Sequence, residues 1–203
     1  MFFEANHLYH IYNRGNLSRK VFYSRENYIF FLRKIRRYCL PYVDILAWCL
    51  MPNHFHLMVH VNHVERPINI TESLTPTKGL IDSKIRSLND SIGIMLRTYT
   101  RAIQKQEGIN GSLFQEHTKA NCLTQCNGVS PAYFNHEYGT IINIPNPEEE
   151  YPVVCFNYIH QNPVLAGLCI SPQGWEFCSG PDYYSNRNGK LVNKGKAKEF
   201  GLI

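Results

Sequence analysis

Hydrophobic and polar positions alternate from His7 to Asn13, in the run His7-Leu8-Tyr9-His10-Ile11-Tyr12-Asn13. A period of two in residues that favour extended backbone predicts a strand, closed by the turn Arg14-Gly15-Asn16. Phe30, Phe31, Ile35 and Tyr38 then recur at helical spacing, so residues 26–39 read as an amphipathic helix, with Ser24 or Asn27 as its cap and Pro41 as its stop. Val43 to Leu50 is a near-continuous apolar run and predicts a buried strand. Met51-Pro52-Asn53 predicts a turn, and His54 to Val61 a second strand, so the pair forms a hairpin.

Residues 62–80 hold Asn, Glu, Thr, Pro and Gly and read as a loop or insertion. Helical spacing returns in Ile85, Leu88, Ile92, Met95, Leu96, Tyr99 and Ile103, predicting a helix over 81–106 with Gly93 as its weak point and Gly108 as its stop. Residues 111–123 read as a strand entered from a glycine turn, and 124–147 carry little pattern. Glu148, Glu149 and Glu150 suit the positive end of a helix dipole. They open a helix over about 148–161 that should end near Pro163. Residues 1–185 form one unit with insertions near 62–80 and 120–147, and 186–203 a basic polar tail. The first six elements match the split β-α-β-β-α-β arrangement. The expected class is α+β and ferredoxin-like, with an antiparallel sheet and helices on one face.

The composition admits that reading and removes others. The chain has 203 residues, 44% of them hydrophobic, which is enough for a core. No apolar run approaches the 18 or more residues of a membrane span, and Met1 to Asn6 lacks the layout of an export signal. The seven scattered cysteines therefore read as thiols in a reducing cytosol, and the expected location is cytoplasmic, associated with the nucleoid. Cys122 and Cys126, with His117 and His136 nearby, lack the paired spacing of a zinc site and read as buried thiols.

A net charge of +5 permits a polyanionic partner without demanding one. The excess is clustered. Arg19 to Arg37 contains seven basic residues against Glu26, and Lys84 to Lys105 contains five against Asp90. Basic faces interleaved with Tyr and Phe suit phosphate contact and base stacking. Arg14, Arg97, Arg101 and Lys119 are the candidate nucleic-acid contacts.

The sharpest chemical signal is Met51-Pro52-Asn53-His54-Phe55-His56. On a strand, His54 and His56 share one face, about 6–7 Å apart, while Phe55 enters the other. Neutral imidazoles so placed can converge on a divalent cation. A second signal is Asn157-Tyr158-Ile159-His160-Gln161-Asn162-Pro163-Val164. On a helix, Tyr158 and Asn162 are one turn apart on one face, a phenol beside an amide oxygen able to ligate a hard cation. His160, two residues on, lies on the wrong face to serve that phenol. The bland alternatives are exposed histidines, a packing tyrosine and a helix-capping asparagine. Taken together, two imidazoles and an amide oxygen would leave a cation its full charge to polarise a phosphodiester, with the phenol as nucleophile.

In these residues the sequence resembles the HUH single-tyrosine transposases, the insertion-sequence and repeat-associated tyrosine transposases of bacteria. The resemblance rests on His54-Phe55-His56 with its lead-in Leu50 to Asn53, on Tyr12-Asn13-Arg14-Gly15, on Gly111 to Gln115, and on Tyr158 to Val164 with Ala166-Gly167, in that order. It implies that His54, His56 and Asn162 are metal ligands and that Tyr158 is the nucleophile of a 5′-phosphotyrosine intermediate. The metal would be Mg²⁺ or Mn²⁺, with Zn²⁺ or Ni²⁺ acceptable to the same imidazoles in a purified sample. The substrate would be single-stranded DNA bearing a hairpin, and the protein could be a homodimer sharing its active sites between chains. The rival reading is a catalytically silent protein that binds a DNA or RNA hairpin, and a metal-dependent hydrolase is a third.

Overall fold

The computed structural model describes residues 1–68, 84–125, 134–136, 139–141 and 146–203. The body is a four-stranded antiparallel sheet in the order β2-β3-β1-β6, formed by β1 (Leu8–Arg14), β2 (Val43–Met51), β3 (His54–Val61) and β6 (Lys119–Cys122). The chain returns from β1 to β2 through α1 (Arg25–Tyr38) and from β3 to β6 through α2 (Leu88–Glu107). This is the α+β class and the strand arrangement expected from the pattern.

Side-chain alternation divides the sheet into two faces. Tyr9, Ile11, Phe55, Leu57 and Val59 pack against Phe31 and Ile35 of α1 and Ile92, Met95 and Tyr99 of α2 in one cluster. Leu8, Cys49, Met51 and Met58 face the other way, against Tyr151, Cys155, Phe156 and Ile159 of α3 (Pro147–Leu165). The two crossover helices therefore share one face as expected, and α3 adds a layer on the opposite face. An irregularity between Ile45 and Ala47 adjusts β2, so that Trp48 and Leu50 join the first cluster and Cys49 and Met51 the second.

Local chemistry explains the ends of these elements. Ser24 is the N-cap of α1, and its backbone N–H donates to Asn27 Oδ1 at 3.1 Å. Gly15 permits the turn after β1, because a Cβ there would lie 2.0 Å from the Arg19 carbonyl oxygen. Gly108 ends α2 in the left-handed conformation, φ 64°.

Four boundaries depart from the pattern. The second crossover helix begins at Leu88 rather than 81, because Ser87 caps it by accepting from Asp90 N–H. The residues just before it form β5 (Lys84–Ser87), paired with β4 (Glu65–Ile68), so part of the predicted loop is a strand. Residues 69–83 lie outside the described residues. The fourth sheet strand is shorter than 111–123, since residues 111–118 run irregularly into it, with Leu113 and Phe114 buried. Between β6 and α3, β7 (Phe134–His136) pairs with β8 (Gly139–Ile141).

Helix α3 does not stop before Pro163. It includes Pro152 and Pro163 and ends at Leu165, where the N–H groups of Ala166 and Leu168 donate to the carbonyls of Asn162 and Pro163. The final segment, expected as a basic polar tail, is folded onto the body. Before it, Phe177 to Ser179 hydrogen-bonds along β2 and α4 (Gly180–Tyr184) follows; within 186–203, α5 (Lys194–Glu199) buries Ala197. Leu191, Ala197 and Leu202 supply the apolar contacts that hold this basic stretch in place.

Candidate active site

The β1–β3 register sets the site. Tyr12 pairs with His56 and Arg14 with His54, so these four side chains share the α3 face of the sheet, with His10 two residues before Tyr12 on the same face. Phe55 points the other way, into the α1–α2 core. Helix α3 brings Tyr158 and Asn162, one turn apart, onto the histidine face. The Tyr158 ring stands edge-on to His56, 5.3 Å between centroids, and to His10 at 6.1 Å. Asn162 is fully buried. Its Oδ1 lies 3.2 Å from His54 Nε2 and its Nδ2 lies 3.3 Å from His56 Nε2. All four residues singled out from the sequence thus meet within one chain.

The hydrogen bonds behind the histidines fix what they offer. His54 Nδ1 lies 2.6 Å from Asn53 Oδ1, to which it donates. The Nε2 of the same ring lies 3.2 Å from the Asn162 amide oxygen. His56 Nδ1 is 2.9 Å from His10 Nε2. Burial drives the His10 imidazole pKa down to about 3. Burial first, then the neighbouring His10 and His54, hold His56 well below the ordinary imidazole range. Both rings are therefore neutral at pH 7, the state in which imidazole ligates a metal.

Among the described residues no group of three or more His, Cys, Asp or Glu side chains is arranged to hold a metal, and a three-donor set at this place would take its third atom from the amide oxygen of Asn162. Two imidazole nitrogens and one amide oxygen are donor types that suit a divalent cation, which would displace the Asn162 N–H from His56 Nε2. Among the described residues the cysteines form no metal-holding group with His, Asp or Glu. The Cys122 thiol donates to the Thr124 carbonyl, while Cys126 lies outside the described residues. His160 points away from Tyr158, 2.7 Å from Ser179 Oγ, as its helical position implies.

His54, His56 and Tyr158 line a cleft of about 330 Å³, while Asn162 is not among its lining residues. Arg14 and Lys119, two of the candidate nucleic-acid contacts, are on its wall. The other two, Arg97 and Arg101, are not. They line an adjacent groove of about 490 Å³, which shares Asn13 and Gln115 with the cleft. The sequence reading missed His10, Tyr12 and His117, which also line the cleft. Tyr12 stacks on His10 at 4.6 Å, and Lys119 Nζ sits 5.7 Å from its ring centroid. The alternation of β1 placed His10 and Tyr12 on a common face, but not the strand they would neighbour.

No family model matches this chain, and no curated protein matches it. A solved structure does: that of a REP-associated tyrosine transposase bound to a REP hairpin. It is 12% identical, with a TM-score of 0.52, over 95% of this chain and 92% of that one. The two chains share a fold. An identity so low carries the fold and not the activity, so the chemistry rests on the cleft itself. No described helix is long and apolar enough to cross a membrane.

Proposed function

We propose that this chain is a metal-dependent single-stranded DNA endonuclease and strand transferase, a transposase that forms a 5′-phosphotyrosine intermediate through Tyr158. The observation that carries the reading is the packing of the Tyr158 ring against His56, beside the His54–Asn162–His56 triangle. A hairpin-bound protein of the same fold supports DNA with a hairpin as the substrate class.

A divalent cation, Mg²⁺ or Mn²⁺, held by His54, His56 and Asn162 would polarise the scissile phosphate. Tyr158 Oη attacks the phosphorus, the bond to the 3′ oxygen breaks, and the phenol gives up its proton as the departing oxygen takes one up. One phosphodiester replaces another, so rejoining needs no ATP. The chain's own contribution is positioning. The Tyr158 ring is wedged between helix and sheet with 7% of its surface exposed, which restricts the phenol to few orientations. Arg14 and Lys119 on the cleft wall balance the charge of flanking phosphates.

Labelled oligonucleotides test this. With Mn²⁺, a 3′-labelled hairpin strand should yield an SDS-resistant protein adduct, while the 5′-labelled strand is released with a free 3′-hydroxyl. Tyr158→Phe should reduce the adduct to background. Cut ends without any adduct would instead describe a hydrolase, and hairpin retention without cutting a binding protein.

A further inference from the structure

The proposed reaction gives no part to His10, the most deeply buried polar side chain on β1, with no exposed surface. Its Nε2 lies 2.9 Å from His56 Nδ1, its ring stacks on Tyr12, and its edge meets Tyr158. A neutral imidazole carries one proton on one of two nitrogens. Asn162 Nδ2, 3.3 Å from His56 Nε2, is a donor only, so that nitrogen is bare. The proton of His56 is then on Nδ1, where His10 Nε2 faces it. His10 accepts there and carries its own proton on Nδ1. The opposite assignment would set His56 Nε2–H against the amide N–H of Asn162.

Asn53 does for His54 what His10 does for His56, since Asn53 Oδ1 takes the Nδ1 proton of His54 at 2.6 Å. Both imidazoles of the pair are thereby turned with Nε2 toward the same amide. Metal-ligating histidines generally need such a partner behind them to fix tautomer and ring orientation.

We propose that His10 is a positioning residue, which accepts the Nδ1 proton of His56 and so holds that ring in the tautomer whose Nε2 is bare toward Asn162. Its value to the reaction rests on the reading of His54, His56 and Asn162 as a cation site, but its action on the tautomer can be read without any metal.

The test uses the full chain, ¹⁵N-labelled at histidine, with His56 assigned by its loss in His56→Gln. Long-range ¹H–¹⁵N correlation spectra read the tautomer, calorimetric titration reads Mn²⁺ affinity, and thermal melting reads the fold. His10→Phe keeps a stacking ring and removes the acceptor, whereas His10→Gln restores an acceptor. In the wild type, His56 should appear as the Nδ1–H tautomer. In His10→Phe it should become a mixture, with Mn²⁺ affinity lower by roughly 10- to 100-fold. His10→Gln should recover much of both. The proposal is overturned if wild-type His56 is the Nε2–H tautomer, or if folded His10→Phe keeps the wild-type tautomer. If His10→Phe fails to fold, the wild-type spectrum and His10→Gln decide. A wild type with the expected tautomer that binds no Mn²⁺ would contradict the cation-site reading and leave the role of His10 standing.

Discussion

The two faces of the central sheet carry the same strands to different ends. Toward α1 and α2 the face is mostly apolar, with Tyr9, Ile11, Phe55, Leu57 and Val59 closing on Phe31, Ile35, Ile92 and Met95 and Asn13 as its buried polar exception at the end of β1. Toward α3 it is apolar only in part, where Leu46 and Met58 meet Phe156 and Ile159. The rest of that face includes His10, His54, His56, Tyr158 and Asn162, all buried or nearly so, beside the half-buried Tyr12 and Arg14. Buried polar groups lose hydration and recover it only through one another, so they add little net stability. The first face anchors the strands, and the second carries the buried polar cluster. Phe55 between His54 and His56 is the point at which one strand serves both.

The largest effect that separates the faces is a truncation on the apolar side. Phe55→Ala should cost about 3–5 kcal/mol in urea or thermal unfolding, from lost transfer energy and the cavity left behind. His54→Ala, one residue away, should cost clearly less while removing adduct formation. Equal losses would mean that the histidine face is structural after all.

Mn²⁺ should stabilise the cleft face alone. At about 100 times its dissociation constant it should add about 2.7 kcal/mol to folding stability, reversed by a chelator and absent in His54→Ala. Stabilisation that persists in His54→Ala would place the cation elsewhere.

Acid should weaken the α3 side next. His10 and His160 keep imidazole pKa values of about 3 when folded, chiefly through burial, against the ordinary 6.5. Between those values the unfolded chain binds more protons, so stability falls as pH drops below 6.5 and is flat with respect to these rings above it. At pH 5 the loss should be about 2 kcal/mol for each ring. His160→Gln, away from the cleft, should flatten the fall by its share in a melting series from pH 7 to 5.

The smallest effect on folding should come from the groove beside the cleft. Arg97→Ala and Arg101→Ala should change stability by no more than about 0.5 kcal/mol. Each should nevertheless reduce the slope of log affinity for a hairpin strand against log salt by about 1 if it contacts a phosphate. Unchanged slopes would confine the DNA path to Arg14 and Lys119.

Short-range periodicity was enough to read β1, α1 and the β2–β3 hairpin, and to set His54 with His56 and Tyr158 with Asn162. Those signals are local, because two residues along a strand or four along a helix fix a shared face. What stayed illegible is set by pairing across the chain. His10 and Tyr12 join the cleft only because β1 lies beside β3 with Tyr12 opposite His56. Arg97 and Arg101 fall in the neighbouring groove because of where α2 crosses the sheet. The start of α2 moved to Leu88 because Ser87 can cap and Lys84–Ser87 finds a partner in β4. The last segment looked like a solvated tail because Leu191, Ala197 and Leu202 are spaced too widely among basic residues to announce a buried face.

The central claim is that Tyr158, and no other tyrosine, stands ready beside the cation-accepting cluster. Tyr12 lines the same cleft and is the natural competitor. Protease digestion of the DNA-linked protein and fragmentation of the nucleotide-bearing peptide would locate the bond directly. The account predicts a phosphodiester on Tyr158. Attachment to Tyr12, or to any residue outside the cleft, would contradict it.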